Sequence, residues 1–255
     1  MEALRTTVLV EEDILTAAIA SESVDLCYLD PPFSTGRDFD GYSDKWDGVD
    51  AYVDYMIPRI GRCWDALTPN GNLILHLDWH AVHYLKVAVD RAVGIERFKN
   101  EIIWRYNSGG ASKRHLSRKH DTLLWWAKGP NYVFNVQREP YATTGTAGRD
   151  GFHPDGRMLT DVWEIPFIST TSSERCGWPT QKPLALLERV ITIFSDPGQC
   201  VLDGFCGSGT TGVAAHLAGR DSVLVDVSGE ALTKAYERLS AVGANIWNRT
   251  YSVQP

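Results

Sequence analysis

Asp30, Pro31, Pro32 and Phe33 stand in a row directly after the apolar run Val24-Asp25-Leu26-Cys27-Tyr28-Leu29. The run reads as a buried strand, so a carboxylate, two prolines and an aromatic ring fall at a strand's C-terminal end. Open α/β sheets place their chemistry at such ends. Two prolines fix φ and lack N–H groups, which makes the turn stiff and leaves its carbonyl oxygens bare. The set suits a planar base that carries an amino group: oxygens accept its N–H hydrogens and a ring stacks on its face. Taken alone, the tetrapeptide equally suits a Pro-Pro strand terminator preceded by a chance Asp.

A second constellation lies far downstream. Val201-Leu202-Asp203-Gly204-Phe205-Cys206-Gly207-Ser208-Gly209-Thr210-Thr211 reads as strand, glycine turn and helix start, continued by the apolar stretch 212–218. Small residues let a ligand approach the backbone, and the helix N-terminus offers free N–H groups to a carboxylate. The next apolar run, Ser222–Val225, ends at Asp226, where an acid is placed to bind a ribose diol. The dinucleotide fingerprint lacks its third glycine, and no Gly-Lys-Ser/Thr follows to make a phosphate loop.

Together these residues resemble the amino-group DNA methyltransferases of the permuted β class, the N6-adenine/N4-cytosine family. There the Asp-Pro-Pro-aromatic motif precedes the Phe-x-Gly-x-Gly motif, and Asp30–Phe33 and Phe205–Gly209 stand in that order. Thr180-Gln181-Lys182-Pro183 resembles the segment that opens the helix before the cofactor loop. Asp161–Pro166, Glu174-Arg175, Asn100–Trp104 and His120-Asp121 also look familial, so the resemblance covers nearly the whole chain. Two positions depart from the pattern: Gly204 where the family usually has Pro, and Phe33 where Tyr is more usual.

The resemblance implies S-adenosylmethionine as methyl donor, with S-adenosylhomocysteine as product. Asp13, Asp30, Lys182, Asp203, Phe205, Gly207, Gly209, Thr210 and Asp226 are its expected binding residues. Asp226 is the candidate for the ribose hydroxyls and Asp13 for the adenine edge, although Asp13 equally suits the end of a strand. Catalysis is expected from Asp30, Pro31, Pro32 and Phe33. Asp30 and the Pro31 carbonyl would accept the amino hydrogens, and Phe33 would stack on a base held out of the duplex. The main gain is alignment of two bound reactants. The expected function is N6 methylation of adenine in double-stranded DNA, as in restriction-modification. Cytosine N4 methylation and a catalytically silent methyltransferase-like DNA-binding module are the alternatives. No Pro-Cys pair is present for cytosine C5 chemistry, and no metal is expected; a His80/His83 metal pair is the lesser reading.

The chain has 255 residues and a net charge of −7. That balance argues against a polyanionic partner until its distribution is seen. From Arg97 to Lys128, eight Lys/Arg face only Glu101 and Asp121, a local excess of six. The centre of the excess, 108–119, reads as a flexible basic loop. Its Lys113, Arg114, Arg118 and Lys119 are expected to contact DNA phosphates. The five cysteines form no paired-ligand spacing, residues 1–20 lack a signal-peptide core, and no apolar run would span a bilayer. A cytoplasmic protein with no membrane partner is expected; a homodimer is left open.

The elements that must position these groups alternate along the chain. Strands are expected at Thr6–Val10, Val24–Leu29, Leu73–Leu77, Ile102–Tyr106, Thr122–Ala127, Val201–Phe205 and Ser222–Val225. Helices are expected at Glu11–Ala20, Val49–Leu67 (interrupted near Pro58), Ala81–Val93 and Pro183–Ser195, with a last one capped by Ser228 and running to about Ala241. Ser34–Gly48 reads as a mobile loop and Pro69-Asn70-Gly71 as a turn. Residues 131–180 lose periodicity and read as an irregular target-recognition insert. The alternation predicts one doubly wound α/β domain over 1–255, and the resemblance implies a mostly parallel, Rossmann-like methyltransferase sheet of seven strands, one antiparallel.

Overall fold

Val24–Leu29 and Cys200–Asp203 are apolar along almost their whole length, which calls for cover on both faces. In the computed structural model they lie side by side near the centre of one sheet. The structure describes residues 5–39, 42–107, 112–143 and 145–248. In chain order the elements begin with β1 (Thr6–Glu11), β2 (Val24–Leu29), β3 (Asp38–Phe39), β4 (Tyr42–Ser43), α1 (Gly48–Ala66) and β5 (Leu67–Leu77). Next come α2 (Val82–Val93), β6 (Phe98–Arg105), β7 (His120–Ala127), β8 (Arg138–Glu139), β9 (Arg157–Met158) and β10 (Val162–Glu164). The chain continues through α3 (Leu184–Phe194), β11 (Cys200–Asp203), α4 (Thr210–Leu217), β12 (Asp221–Asp226), α5 (Gly229–Ala241) and β13 (Asn245–Asn248).

The main sheet has nine strands in the order β10-β6-β7-β5-β2-β11-β12-β1-β13. Within this sheet only β7 runs against its neighbours and the other described pairs are parallel. One antiparallel strand agrees with the expectation, but seven strands does not. The two extra ones, β10 and β13, are three and four residues long and extend the edges through β6 and β1. Segments as short as Val-Trp-Glu and Asn-Ile-Trp-Asn carry no readable period.

Helices cover both faces, as a doubly wound sheet requires. Cys27 and Leu29 of β2 pack with Met56, Ile60 and Cys63 of α1 and Leu85 of α2. Leu26 and Tyr28 of the same strand pack with Leu187, Val190 and Ile191 of α3. Leu9 and Leu224 meet Leu232, Ala235 and Leu239 of α5.

Several local expectations change. Glu11–Ala20 forms turns rather than a helix: Asp13 Oδ1 accepts Leu15 N–H, and Arg62 Nη2 donates to the Ala17 and Ile19 carbonyls. Side chains, Asp13 within the segment and Arg62 from α1, thus take bonds a helix would make along its backbone. Pro58 does not interrupt α1, which runs for 19 residues with Tyr52, Met56, Ile60 and Cys63 buried on either side of it. The packed stripe outweighs one missing backbone hydrogen bond. Pro69-Asn70-Gly71 is a bulge inside β5, where pairing with β2 jumps from Val24–Leu67 to Leu26–Asn72.

The irregular stretch after β7 is tied down by Asn72. Its fully buried side chain donates to the Val133 and Phe194 carbonyls, both at 2.9 Å, and accepts the Trp125 indole N–H at 2.9 Å. Each buried group left without a partner costs about 1–3 kcal/mol. Asn72→Leu, similar in size but without polar atoms, is expected to lower unfolding stability in urea by about 3 kcal/mol. A loss below about 1 kcal/mol would mean the three groups find other partners.

Candidate active site

Parallel β1, β2, β5, β11 and β12 end along one edge of the sheet, so residues following them converge there. Antiparallel β7 delivers its first residues, His120 and Asp121, to that same edge, because Asp121 pairs with Trp104 and Thr122 with Leu77. A cavity of about 200 Å³ opens at this edge. Asp13, Asp30, Lys182, Asp203, Phe205, Gly207, Thr210 and Asp226 all line it, and so does Pro32. Two chain segments more than 150 residues apart therefore share one space.

Gly209, Pro31 and Phe33 are not in the lining. Gly209 has φ +73°, and a Cβ there would stand 2.6 Å from Ala235 Cβ, so its glycine lets α5 lie against the loop. Phe33 sits beside the cavity, with its ring 5.7 Å from that of His76 and 5.0 Å from Lys182 Nζ. Tyr52 braces the turn through a 2.6 Å hydrogen bond from its hydroxyl to the Pro32 carbonyl.

Asp30 and Lys182 form an ion pair of 2.5 Å. The other Asp30 oxygen, Oδ1, is shut off from solvent and has no hydrogen-bond partner. Asp226 holds the glycine loop: its carboxylate accepts the N–H of Gly207 at 2.8 Å and of Ser228 at 2.9 Å. Gly207 has φ +48°, and a Cβ there would come within 3.0 Å of the Trp178 indole nitrogen. From α5, Arg238 donates to the Ser208 carbonyl, the Ser208 hydroxyl and the Thr210 hydroxyl.

Among the described residues, five acids (Glu12, Asp13, Asp30, Asp203 and Asp226) line the cavity against one cation, Lys182. Burial pushes the Asp203 carboxyl up to about 7, despite hydrogen bonds from the Thr211 hydroxyl and Phe205 N–H; nearby Asp30 and Asp226 raise it further. Burial also raises Asp226, against the backbone N–H groups it accepts. Such a space favours a ligand with positive charge. Asp13 is itself engaged by Arg59, at 2.5 Å and 3.2 Å. Among the described residues no group of three or more His, Cys, Asp or Glu is arranged to hold a metal ion, and His80 Nδ1 is taken by Asp78 at 2.7 Å.

Residues 108–111 of the basic loop lie outside the described residues. The remainder joins the cavity edge of β6 to that of β7. Lys113, Arg114 and Arg118 are exposed and Lys119 is half-buried. The Arg118 guanidinium lies 3.7 Å over the Trp79 ring, just past the end of β5. Within Ser34–Gly48, read as a mobile loop, the buried Asp44 carboxylate ties together Ser34, Thr35 and Trp46. That group accepts Ser34 N–H, Thr35 N–H, the Thr35 hydroxyl and the Trp46 indole N–H. Trp46, Tyr55 and Trp178 line the cavity without having been singled out beforehand. Nothing local to these three marks them, although Trp178 stands two residues before Thr180.

The chain belongs to the DNA methylase family of N6/N4 methyltransferases, whose family model matches residues 24–237. Its members are enzymes. DNA adenine methyltransferase YhdJ of Escherichia coli K12 is 30% identical over 232 residues, 87% of this chain and 78% of that protein. Type II methyltransferase M.HpaI of Haemophilus parainfluenzae is 29% identical over 224 residues, 88% of this chain and 70% of its own length. In fold, the chain matches the crystal structure of the M1.HpyAVI–SAM complex with a TM-score of 0.61 and 22% identity, covering 91% of this chain and 99% of that one. The PvuII cytosine-N4-specific DNA methyltransferase matches with a TM-score of 0.68 and 16% identity, over 92% and 86%. Among the described residues no helix is long and apolar enough to cross a membrane.

The raised carboxyl of Asp203 has a signed consequence. Its folded value of about 7 lies above the ordinary 3.8. Between those values the folded protein keeps a proton that the unfolded chain has lost, so stability falls as pH rises through the window and levels off above it. Asp203→Asn should flatten this part of the profile. Urea unfolding of both proteins at about pH 5 and about pH 8 checks it. Equal pH slopes would place the proton elsewhere.

Proposed function

We propose that this chain transfers a methyl group from S-adenosylmethionine to the N6 amino group of an adenine flipped out of double-stranded DNA. The observation that carries the reading is the shared cavity: Asp30 and Pro32 from one motif, Phe205, Gly207 and Asp226 from the other. Direct transfer between two bound reactants needs that adjacency. The methyl donor supplies an activated methyl on a positively charged sulfur. It also carries an ammonium, which fits a cavity lined by five acids, and a carboxylate, which fits the N–H groups where the glycine loop enters α4. Asp226, Asp203, Asp13 and Lys182 are the proposed polar contacts, with Phe205, Gly207, Gly209 and Thr210 shaping the loop.

At the other end, Asp30 and the Pro31 carbonyl accept the amino hydrogens. This turns the nitrogen lone pair out of conjugation with the ring and toward the methyl. Pro32 keeps the turn rigid, and Phe33 stacks on the base. Residues 1–255 act as one methyltransferase domain, with 131–180 as the target-recognition insert and Lys113, Arg114, Arg118 and Lys119 on DNA phosphates. The similarity to YhdJ, a DNA adenine methyltransferase, supports adenine as the target. Cytosine N4 presents the same amino chemistry, so the base is decided by measurement. The chain is assigned to the cytoplasm, where its DNA substrate lies.

Expression in a methylation-free host, followed by mass analysis of the nucleosides, should show N6-methyladenine. N4-methylcytosine would move the target base, and an unmodified genome would overturn the function. Asp30→Ala should slow single-turnover transfer by about 10²–10³, the usual loss for one preorganised hydrogen bond. Phe33→Tyr should stay near the parental rate while Phe33→Ala does not. Replacing Lys113, Arg114, Arg118 and Lys119 by Ala should weaken DNA binding and flatten its dependence on salt, with base preference unchanged. Unaltered salt slopes would shift the phosphate path to residues 131–180.

A further inference from the structure

Behind Asp30 lies a buried polar chain that the reaction as described does not use. His76, at the end of β5, is fully buried. Its Nδ1 meets the Tyr28 hydroxyl at 2.7 Å, and its Nε2 meets Asp121 Oδ2 at 3.3 Å. Asp121 accepts the Tyr106 hydroxyl on its other oxygen at 2.9 Å. The partnerless oxygen of Asp30 faces this chain, 3.8 Å from His76 Nδ1. The imidazole also packs against Phe33 and edge-on to Trp104, ring centroids 5.7 Å and 5.5 Å away. An apolar residue would fill this place at lower cost, because each buried polar group must be matched.

Resting on the amino-methylation reading above, we propose that His76 is a positioning residue that receives, through Asp30, the proton the target amino group gives up. As the nitrogen takes the methyl, one N–H bond breaks with its electron pair left on nitrogen. The proton bonds to the Asp30 carboxylate. It then passes from Oδ1 to His76 Nδ1, and the resulting imidazolium is matched by the Asp121 carboxylate at Nε2. The phenol of Tyr28 turns from donor to acceptor at Nδ1. When product leaves, the proton returns to water and both carboxylates are restored. The 3.8 Å gap is longer than a hydrogen bond, as is common for catalytic contacts before substrate tightens them.

The ionisable groups facing His76 are Tyr28 on β2, Asp30 just after it and Asp121 on β7, with Tyr106 after β6 bonded to Asp121 and Lys182 ahead of α3 paired with Asp30. Burial pulls the Asp121 carboxyl upward, but the His76 hydrogen bond and charge, with Lys182 and Tyr106, hold it below its ordinary value. With Nε2 turned to the Asp121 carboxylate, Nδ1 is the nitrogen that meets both the Tyr28 hydroxyl and the Asp30 oxygen.

The test is single-turnover methyl transfer to unmethylated plasmid DNA across a pH series, for parent, His76→Gln and Asp121→Asn, with cofactor affinity and melting followed in parallel. His76→Gln should slow transfer by about 10²-fold or more, the usual contribution of one proton-transfer group, and remove the acid limb of the pH profile. Asp121→Asn should move that limb to lower pH, because the imidazolium loses its counter-charge. Cofactor affinity should be unchanged in both. A purely structural role would lower the rate by the same factor at every pH and leave the limb in place; that result, or a parental rate in His76→Gln, overturns the proposal. If His76→Gln does not fold, the shift in Asp121→Asn decides. Active parent and inactive Asp30→Ala in the same series show that the methylation reading stands whatever His76 does.

Discussion

Lys182 reaches across the cavity to Asp30, and most of the site depends on what that contact demands. Both side chains are largely withdrawn from water, so the pair must offset a desolvation cost that attraction alone does not always cover. The Phe33 ring near the ammonium helps, and so does the charge of Asp121. The contact fixes the segment before α3 against the end of β2. That segment also carries Gln181, whose amide bridges Cys176 N–H and the Glu174 carbonyl, and Trp178, which covers Gly207. Removing either charge would leave the other buried and unmatched, so the two motifs hold each other in register.

The gathering of acids at one edge follows from the sheet. Parallel strands all end on the same side, and each places its next residue there: Asp13 after β1, Asp30 after β2, Asp78 after β5, Asp203 and Asp226 closing β11 and β12. One reversed strand adds Asp121 from the opposite chain direction. Burial raises the proton affinity of Asp203 most, and carboxylates brought this close add to it, which is the physical origin of its shift. A cavity built this way is poorly suited to a free anion and well suited to a cationic donor.

Much of this architecture was legible in the residues. β2, β11, β12, α3 and the Ser228-capped α5 declared themselves through apolar runs and caps, and Ser228 Oγ does accept Ala231 N–H. Glu11–Ala20 misled because its apolar residues, Ile14 and Ala17, do face the core, but on turns whose carbonyls Arg62 satisfies. Pro58 misled in the other direction, since a local rule was overruled by packing along the whole helix. The edge strands β10 and β13 are too short to show a period. Within the cavity, residues next to a motif were readable, whereas Trp46 and Tyr55 come from other elements, and Arg238 of α5 braces the glycine loop from outside the lining. His76 lies within the expected strand Leu73–Leu77, but its partners Tyr28 and Asp121, with Tyr106 behind Asp121, come together only through strand pairing.

Asp44 gathers described residues of the loop after Phe33 on a single side chain. Four donors converge on one carboxylate, and the loop they close carries Trp46 to the cavity wall. Residues tied to one carboxylate in this way are expected to loosen together when that cluster parts, while the sheet beneath keeps its amides protected. Exchange of anything held under Trp46 is then timed by this local opening rather than by unfolding of the protein. Hydrogen exchange would register the loop as a separate, faster class of amides above a slow core.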